Sequence, residues 1–272
     1  MEDYAFQRAV LSDLESLRKY QVLDLKGQVY DPLEEQIELT DPACLKIQNA
    51  GKEVGYAILT EKKQKEITLL EFYLVPSQRK HAKLVFDKLV HLFHCGYWFV
   101  NSQDSFALPL FLERGLSYEL DGYLFSTGKP DYEPAHSPNE VHLNPATLDD
   151  VDSTYELIMQ DGFYSGNGRT ALDVRIKNGE IYLLRSQDIL IGVGFVSPLG
   201  RTPCYADIAM IIDGRHRMRG FAVQLVKQLI QISLNKGLIP TALTSPQNIA
   251  SRRTLEKCGF FIDGCMLLAK IN

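Results

Sequence analysis

The chain has 272 residues, 45% apolar and 23% charged, with 29 Lys and Arg against 34 Asp and Glu for a formal net charge of −5. That length fits one large or two ordinary domains, and the composition excludes a mainly disordered chain. The acidic balance argues against a nucleic-acid partner, and the lack of an apolar run of about 18 residues argues against a membrane-spanning one.

The first elements set a pattern that returns later. Ser12 and Glu15 have the spacing of a helix N-cap, in which a hydroxyl accepts from an early amide and a carboxylate returns the bond. Strand-like runs follow at residues 54–59 and 67–75. A basic turn, residues 76–79, leads into an amphipathic helix over 82–93. His91 and His94 share a face of that helix, without a second ligand cluster at metal spacing, so no metal is expected. Trp98 and Phe99 read as core, and a short helix breaks at Gly115. The proline-rich stretch 129–140 reads as a linker, dividing the chain into domains 1–128 and 141–272.

The second half repeats the order. Thr147 and Asp150 form an N-cap pair, and strands are expected at 181–184, 189–196 and 205–212. A loop with aromatics, glycines and Asn167 (163–168) is a candidate acceptor-lining segment or an ordinary connection. A basic turn precedes a helix over 221–234, and a short helix breaks at Gly259. The two halves align with offsets of 137 at the first helix, 138 at the basic turn and 144 at the terminal glycine, which points to an internal duplication. Five widely spaced cysteines with no C-x-x-C pair read as reduced thiols, and the acidic N-terminus has no signal-peptide pattern; a cytoplasmic location is expected.

The candidate chemistry lies where the strand 205–212 meets the basic turn 214–219. Free amides at a helix start bind anions, and Arg215, Arg217 and Arg219 add positive charge. Gly220 lets a ligand approach the backbone, and Ala222 keeps the next turn slim. The residues suit a phosphate cradle or a plain solvated helix start.

Arg217-x-x-Gly220-x-Ala222 resembles the Q/R-x-x-G-x-G/A signature of the GNAT family of N-acetyltransferases. Asn248-x-x-Ser251, running to Leu255-Glu256-Lys257-Cys258-Gly259-Phe260, is similar to a second motif of the family, most like its zwittermicin-resistance-type branch. The resemblance implies an α/β fold of two tandem domains, each a mixed, mostly antiparallel sheet flanked by helices. It implies acetyl-CoA as co-substrate, with pyrophosphate on the amides of Met218, Arg219, Gly220, Phe221 and Ala222 beside Arg217. Pantetheine would run along Met210, Ile211 and Ile212, with Asn248 and Ser251 near the arm or adenosine. The acceptor would be a small-molecule amine.

Two departures stand out. Leu255 occupies the position where the family often has a thiolate-protonating Tyr. The general base is Asp207 as first candidate and Tyr205 as second. In the first half, Ala82 and Leu84 replace the small pair of the signature, so that copy is expected to be degenerate, with Leu84 crowding the helix start. A non-catalytic acyl-CoA-binding module is the alternative to an enzyme. Oligomeric state is left open by the sequence.

Overall fold

The computed structural model describes residues 3–25, 42–61, 66–127, 141–160, 168–202 and 204–271. The proline-rich stretch 129–140 and residues 163–167 of the aromatic loop lie outside the described residues. The chain forms two compact units, Met1–Tyr123 with Gly264–Asn272, and Leu124–Asp263. Both combine a mostly antiparallel sheet with flanking helices.

The first unit begins with β1 (Tyr4–Ala9), a 3-10 turn (Leu11–Leu14) and α1 (Glu15–Asp24). It continues through β2 (Ala43–Asn49), β3 (Lys52–Glu61), β4 (Ile67–Leu74), a 3-10 turn (Pro76–His81), α2 (Ala82–Phe93), β5 (Cys95–Asn101), α3 (Ala107–Glu113) and β6 (Tyr118–Ser126), whose last three residues fall in the second unit. Strands β1 to β4 pair as antiparallel neighbours, and β4 pairs parallel with β5. An aromatic core holds the sheet to α2 and α3. Phe86 of α2 and Trp98 of β5 meet at 4.5 Å between ring centroids, and Phe111 of α3 meets Trp98 at 6.0 Å.

The second unit repeats the plan with β7 (His142–Pro145), a 3-10 turn (Leu148–Asp150), α4 (Val151–Gln160), α5 (Gly168–Lys177), β8 (Ile181–Ser186), β9 (Ile189–Pro198) and β10 (Tyr205–Ile212). After a 3-10 turn (Gly214–His216) come α6 (Phe221–Asn235), β11 (Ile239–Thr244), α7 (Ile249–Lys257) and β12 (Phe261–Lys270), of which only Phe261–Asp263 belong to this unit. Strands β7 to β10 are antiparallel neighbours, and β10 pairs parallel with β11. One sheet face packs Val193, Phe195, Ile211 and Ile181 against Leu157 and Ile158 of α4 and Leu172 and Ile176 of α5.

The second compact unit ends at Asp263. Residues from Gly264 onward join the first unit because Met266–Lys270 pairs antiparallel with Tyr97–Asn101 of β5. The N-cap of the first half is Val10, whose amide donates to Asp13 Oδ2 at 3.3 Å, rather than Ser12 with Glu15. In the second half the amide of Thr147 does donate to Asp150 Oδ2 at 2.8 Å. His94 lies beyond the end of α2 as a left-handed C-cap (φ 50°), so it does not share a helix face with His91.

Candidate functional site

The site is built where β10 leaves β11. With β9, β10 keeps seven residue pairs, from Ala206–Pro198 to Ile212–Gly192. With β11 it keeps three, and the ladder stops at Asp207–Thr241. Among the described residues, the pairing on the side of β10 that had faced β11 does not continue over Ile208–Ile212. A backbone edge in that position presents N–H and C=O groups to an extended ligand. Met210, Ile211 and Ile212 lie on this stretch.

Helix α6 starts at the end of the same strand because β9 lets it come close. A Cβ on Gly194 would stand 2.7 Å from Leu229 Cδ2, and one on Gly192 would stand 2.7 Å from the Ile211 carbonyl oxygen. Leu225 and Leu229 of α6 are fully buried over these glycines. A larger residue at Gly194 would press on Leu229 of the helix, and one at Gly192 would press on the Ile211 carbonyl of β10.

The turn between β10 and α6 is held by its own side chains. Asp213 is buried (5% exposed), and its carboxylate accepts from the Arg215 amide at 2.8 Å, from Nε at 3.0 Å and from Nη2 at 2.7 Å. The Arg215 side-chain bonds, against some cost of burial, hold the Asp213 carboxyl down to about 2. Arg217 donates from Nε to the Ile212 carbonyl at 3.0 Å. Arg219 is exposed. Of the three arginines, two therefore shape the turn.

The backbone after Arg217 takes two left-handed steps, at Met218 (φ 62°) and Gly220 (φ 84°). Met218 is fully exposed. Such alternation turns successive amides toward one concavity. A Cβ on Gly220 would meet nothing within 4 Å, so glycine is required there by its backbone angle while the space in front stays open. The first intrahelical bond of α6 runs from the Gln224 amide to the Gly220 carbonyl at 3.2 Å. The amides of Phe221, Ala222 and Val223 precede it and carry the positive end of the helix dipole.

The corresponding turn of the first unit is built differently. Arg79 Nε donates to the Leu74 carbonyl at 3.1 Å, the counterpart of the Arg217 bond. Beyond it the chain winds as a continuous 3-10 turn into α2. The Gln78 amide bonds the Val75 carbonyl at 2.9 Å, and the Ala82 amide bonds the Arg79 carbonyl. No left-handed residue interrupts this segment. Leu84 is 54% exposed, so the difference between the two turns lies in the backbone more than in a crowding side chain.

Asp207 is half-buried on β10 between Ser197 and Thr241, at the last rung before the strands part. It alternates with buried Ala206 and Ile208, and so shares a sheet face with Ala209 and Ile211, the face covered by α4 and α5. Tyr205 lies on that face too. Burial, followed by the nearby Cys204 and Asp263, pushes its phenol upward, which suits a proton donor better than a base. Asn248 is the N-cap of α7, its Oδ1 accepting from the Ser251 amide at 3.1 Å, so this pair first organises the helix start. Leu255 is 3% exposed and belongs to the core. Cys258 is buried, its thiol 3.6 Å from the Val223 carbonyl, and burial pushes it up to about 11, so it is no nucleophile at neutral pH. Beyond its place before Gly214, nothing in the sequence marks Asp213 as the organiser of the turn.

Comparison with known proteins agrees with this architecture. Residues 148–260 match the model of the Acetyltransferase (GNAT) family, and residues 11–128 match that of an Acetyltransferase (GNAT) domain. The chain therefore belongs to the GNAT acetyltransferases and carries two of their domains in tandem; acyl transfer from an acyl-CoA is the chemistry of that family. Its structure is similar to that of a GNAT-family acetyltransferase from Colwellia psychrerythraea, at 15% identity, with 98% of this chain and 100% of that chain covered and a TM-score of 0.85. It is also similar to a tandem GNAT protein from the clavulanic acid biosynthesis pathway, at 13% identity, 98% of each chain covered and a TM-score of 0.70. No curated protein sequence matches. Among the described residues no helix is long and apolar enough to cross a membrane.

Proposed function

We propose that the second unit binds acetyl-CoA and transfers its acetyl group to a primary amine of a small molecule. The observation that carries this reading is the end of the β10–β11 ladder at Asp207–Thr241, on the strand that leads into a glycine turn with open amides. The residues suit the co-substrate: Met210, Ile211 and Ile212 offer an extended backbone edge. Arg217, Met218, Arg219, Gly220, Phe221 and Ala222 form a concave, positive helix start. Asn248 and Ser251 begin the neighbouring helix motif. Acetyl-CoA would supply an activated acyl group as a thioester.

The chain's own contribution is positioning and proton transfer. In this reading Asp207, at the mouth of the parted strands, accepts the proton of the incoming ammonium directly or through water. A backbone amide of β10 beyond Asp207 stabilises the oxygen that gains charge. Reduced thiols at five positions are consistent with a cytoplasmic protein.

Buried Leu255 supports a second reading, a non-catalytic acyl-CoA-binding module, because an aliphatic side chain offers no proton to a leaving thiolate. One experiment tests both. CoA binding is measured by calorimetry, and thiol release from acetyl-CoA is followed with a panel of small amines. Binding with amine-dependent thiol release supports the enzyme. Binding with no release across the panel supports the module, and absence of binding overturns both.

A further inference from the structure

In the first unit the corresponding opening is filled from within. The β4–β5 ladder stops at Leu69–Trp98, while β4 runs on to Leu74. Beyond that point Glu71 is 4% exposed. Arg18 of α1, 53 residues earlier and 7% exposed, reaches it with a two-pronged contact: Nε to Oε2 at 3.1 Å and Nη2 to Oε1 at 2.8 Å. The Tyr56 hydroxyl lies 2.8 Å from Glu71 Oε2 and 2.5 Å from Gln21 Oε1. Gln21 Nε2 donates to Asp104 Oδ2 at 3.4 Å. A cavity of about 30 Å³ adjoins these groups, walled by Trp98, Leu25 and Phe72. The Leu25 backbone bridges to Asp104 at the same place.

A buried carboxylate is costly unless a cation neutralises it and its lone pairs are filled. The fold does not demand such a pair. By the offsets of the duplication, Arg18 corresponds to Tyr155 and Glu71 to Ala209, and both of these pack on the apolar cluster of the second unit. A fork of two donors meeting both carboxylate oxygens is the geometry that recognises a guanidinium. We propose that the first unit contains a recess built to recognise a guanidinium or alkylammonium ion, and that Arg18 of the same chain is its resident occupant. With Arg18 in place no free amine reaches Glu71. The inference stands apart from acyl transfer by the second unit, since it concerns only a cation and a carboxylate.

Truncating Arg18 to Ala removes two methylene groups and the guanidinium, which together are an ethylguanidinium ion. Thermal unfolding of full-length Arg18→Ala is therefore followed against ethylguanidinium, with ethylammonium and sodium chloride at matched ionic strength. A saturable stabilisation is expected, strongest for ethylguanidinium and weaker for ethylammonium. At ten times the dissociation constant the folding equilibrium should rise about elevenfold. The parent protein and the Arg18→Ala/Glu71→Gln double variant should show none of it. If Arg18→Ala does not fold, Arg18→Ser, which keeps a short polar side chain, takes its place, with methylguanidinium as the matched cation and otherwise the same expectation. An effect of ethylguanidinium no larger than that of sodium chloride, or one that persists without the Glu71 carboxylate, overturns the proposal.

Discussion

Arg79 and Arg217 make the same bond, each donating its Nε to the carbonyl of the last strand residue before the turn, Leu74 at 3.1 Å and Ile212 at 3.0 Å. The two guanidinium groups then serve different surroundings. That of Arg79 lies 4.9 Å from the Phe106 ring centroid and 5.5 Å from that of Tyr73. Arg217 is exposed in front of a left-handed turn. One inherited contact thus supports a packed turn in the first unit and an open one in the second.

Arg79→Ala should destabilise the first unit by about 1–2 kcal/mol, because it removes a bond to a carbonyl and a cation stacked on aromatic rings. CoA affinity should not change. Calorimetry should give one CoA per chain for the parent and for this variant; two per chain would overturn the assignment to the second unit alone.

Gly220→Glu introduces a side chain at φ 84° and a carboxylate into the open concavity. The backbone strain should cost about 1–2 kcal/mol of stability. CoA affinity should fall by at least about tenfold, or 1.4 kcal/mol, on calorimetric titration. Gly220→Ala separates the two effects: the strain remains, and the loss of affinity should be smaller.

Asp207→Asn keeps the shape of the last shared rung of β10 and β11 and removes the basic oxygen. Turnover with a reactive amine should drop about 100-fold, with CoA affinity held. A variant that turns over at the parental rate would clear Asp207 of proton transfer.

Asp213 gives a prediction with a definite sign in pH. Its folded value is depressed to about 2 from 3.8, so its stabilising contribution is complete above about pH 3.8 and is lost as the pH falls toward 2. Asp213→Asn should be less stable than the parent by about 1 kcal/mol near neutrality, a modest figure because the Arg215 partner is largely exposed. Urea unfolding at decreasing pH should show the gap between the two proteins closing below about pH 3.8. A gap that widens in acid would contradict the assignment.

Local chemistry made much of this legible from the sequence. Strand 205–212 and helix 82–93 were delimited by apolar runs and periodicity, and the structure places both at those bounds. Gly220 is legible in the sequence as a place where the backbone stays open, and the structure adds its left-handed angle. The first strand of each unit escaped, because β1 and β7 are partly exposed edge strands of six and four residues with little apolar signal.

What the sequence determined by itself was the repeated element order and the chemical types at the turn, since both depend on neighbours a few residues apart. Tertiary structure alone decided where the β10–β11 ladder ends, that β12 pairs with β5, and that Arg18 meets Glu71. Gly264–Asn272 joins the first unit because β12 pairs with β5, more than 160 residues earlier in the chain, as the Ser102 hydroxyl bonded to the Cys265 amide shows, 163 residues apart. Such contacts depend on which backbone edges and buried charges are brought together after the chain has folded, and no spacing within one segment encodes that choice.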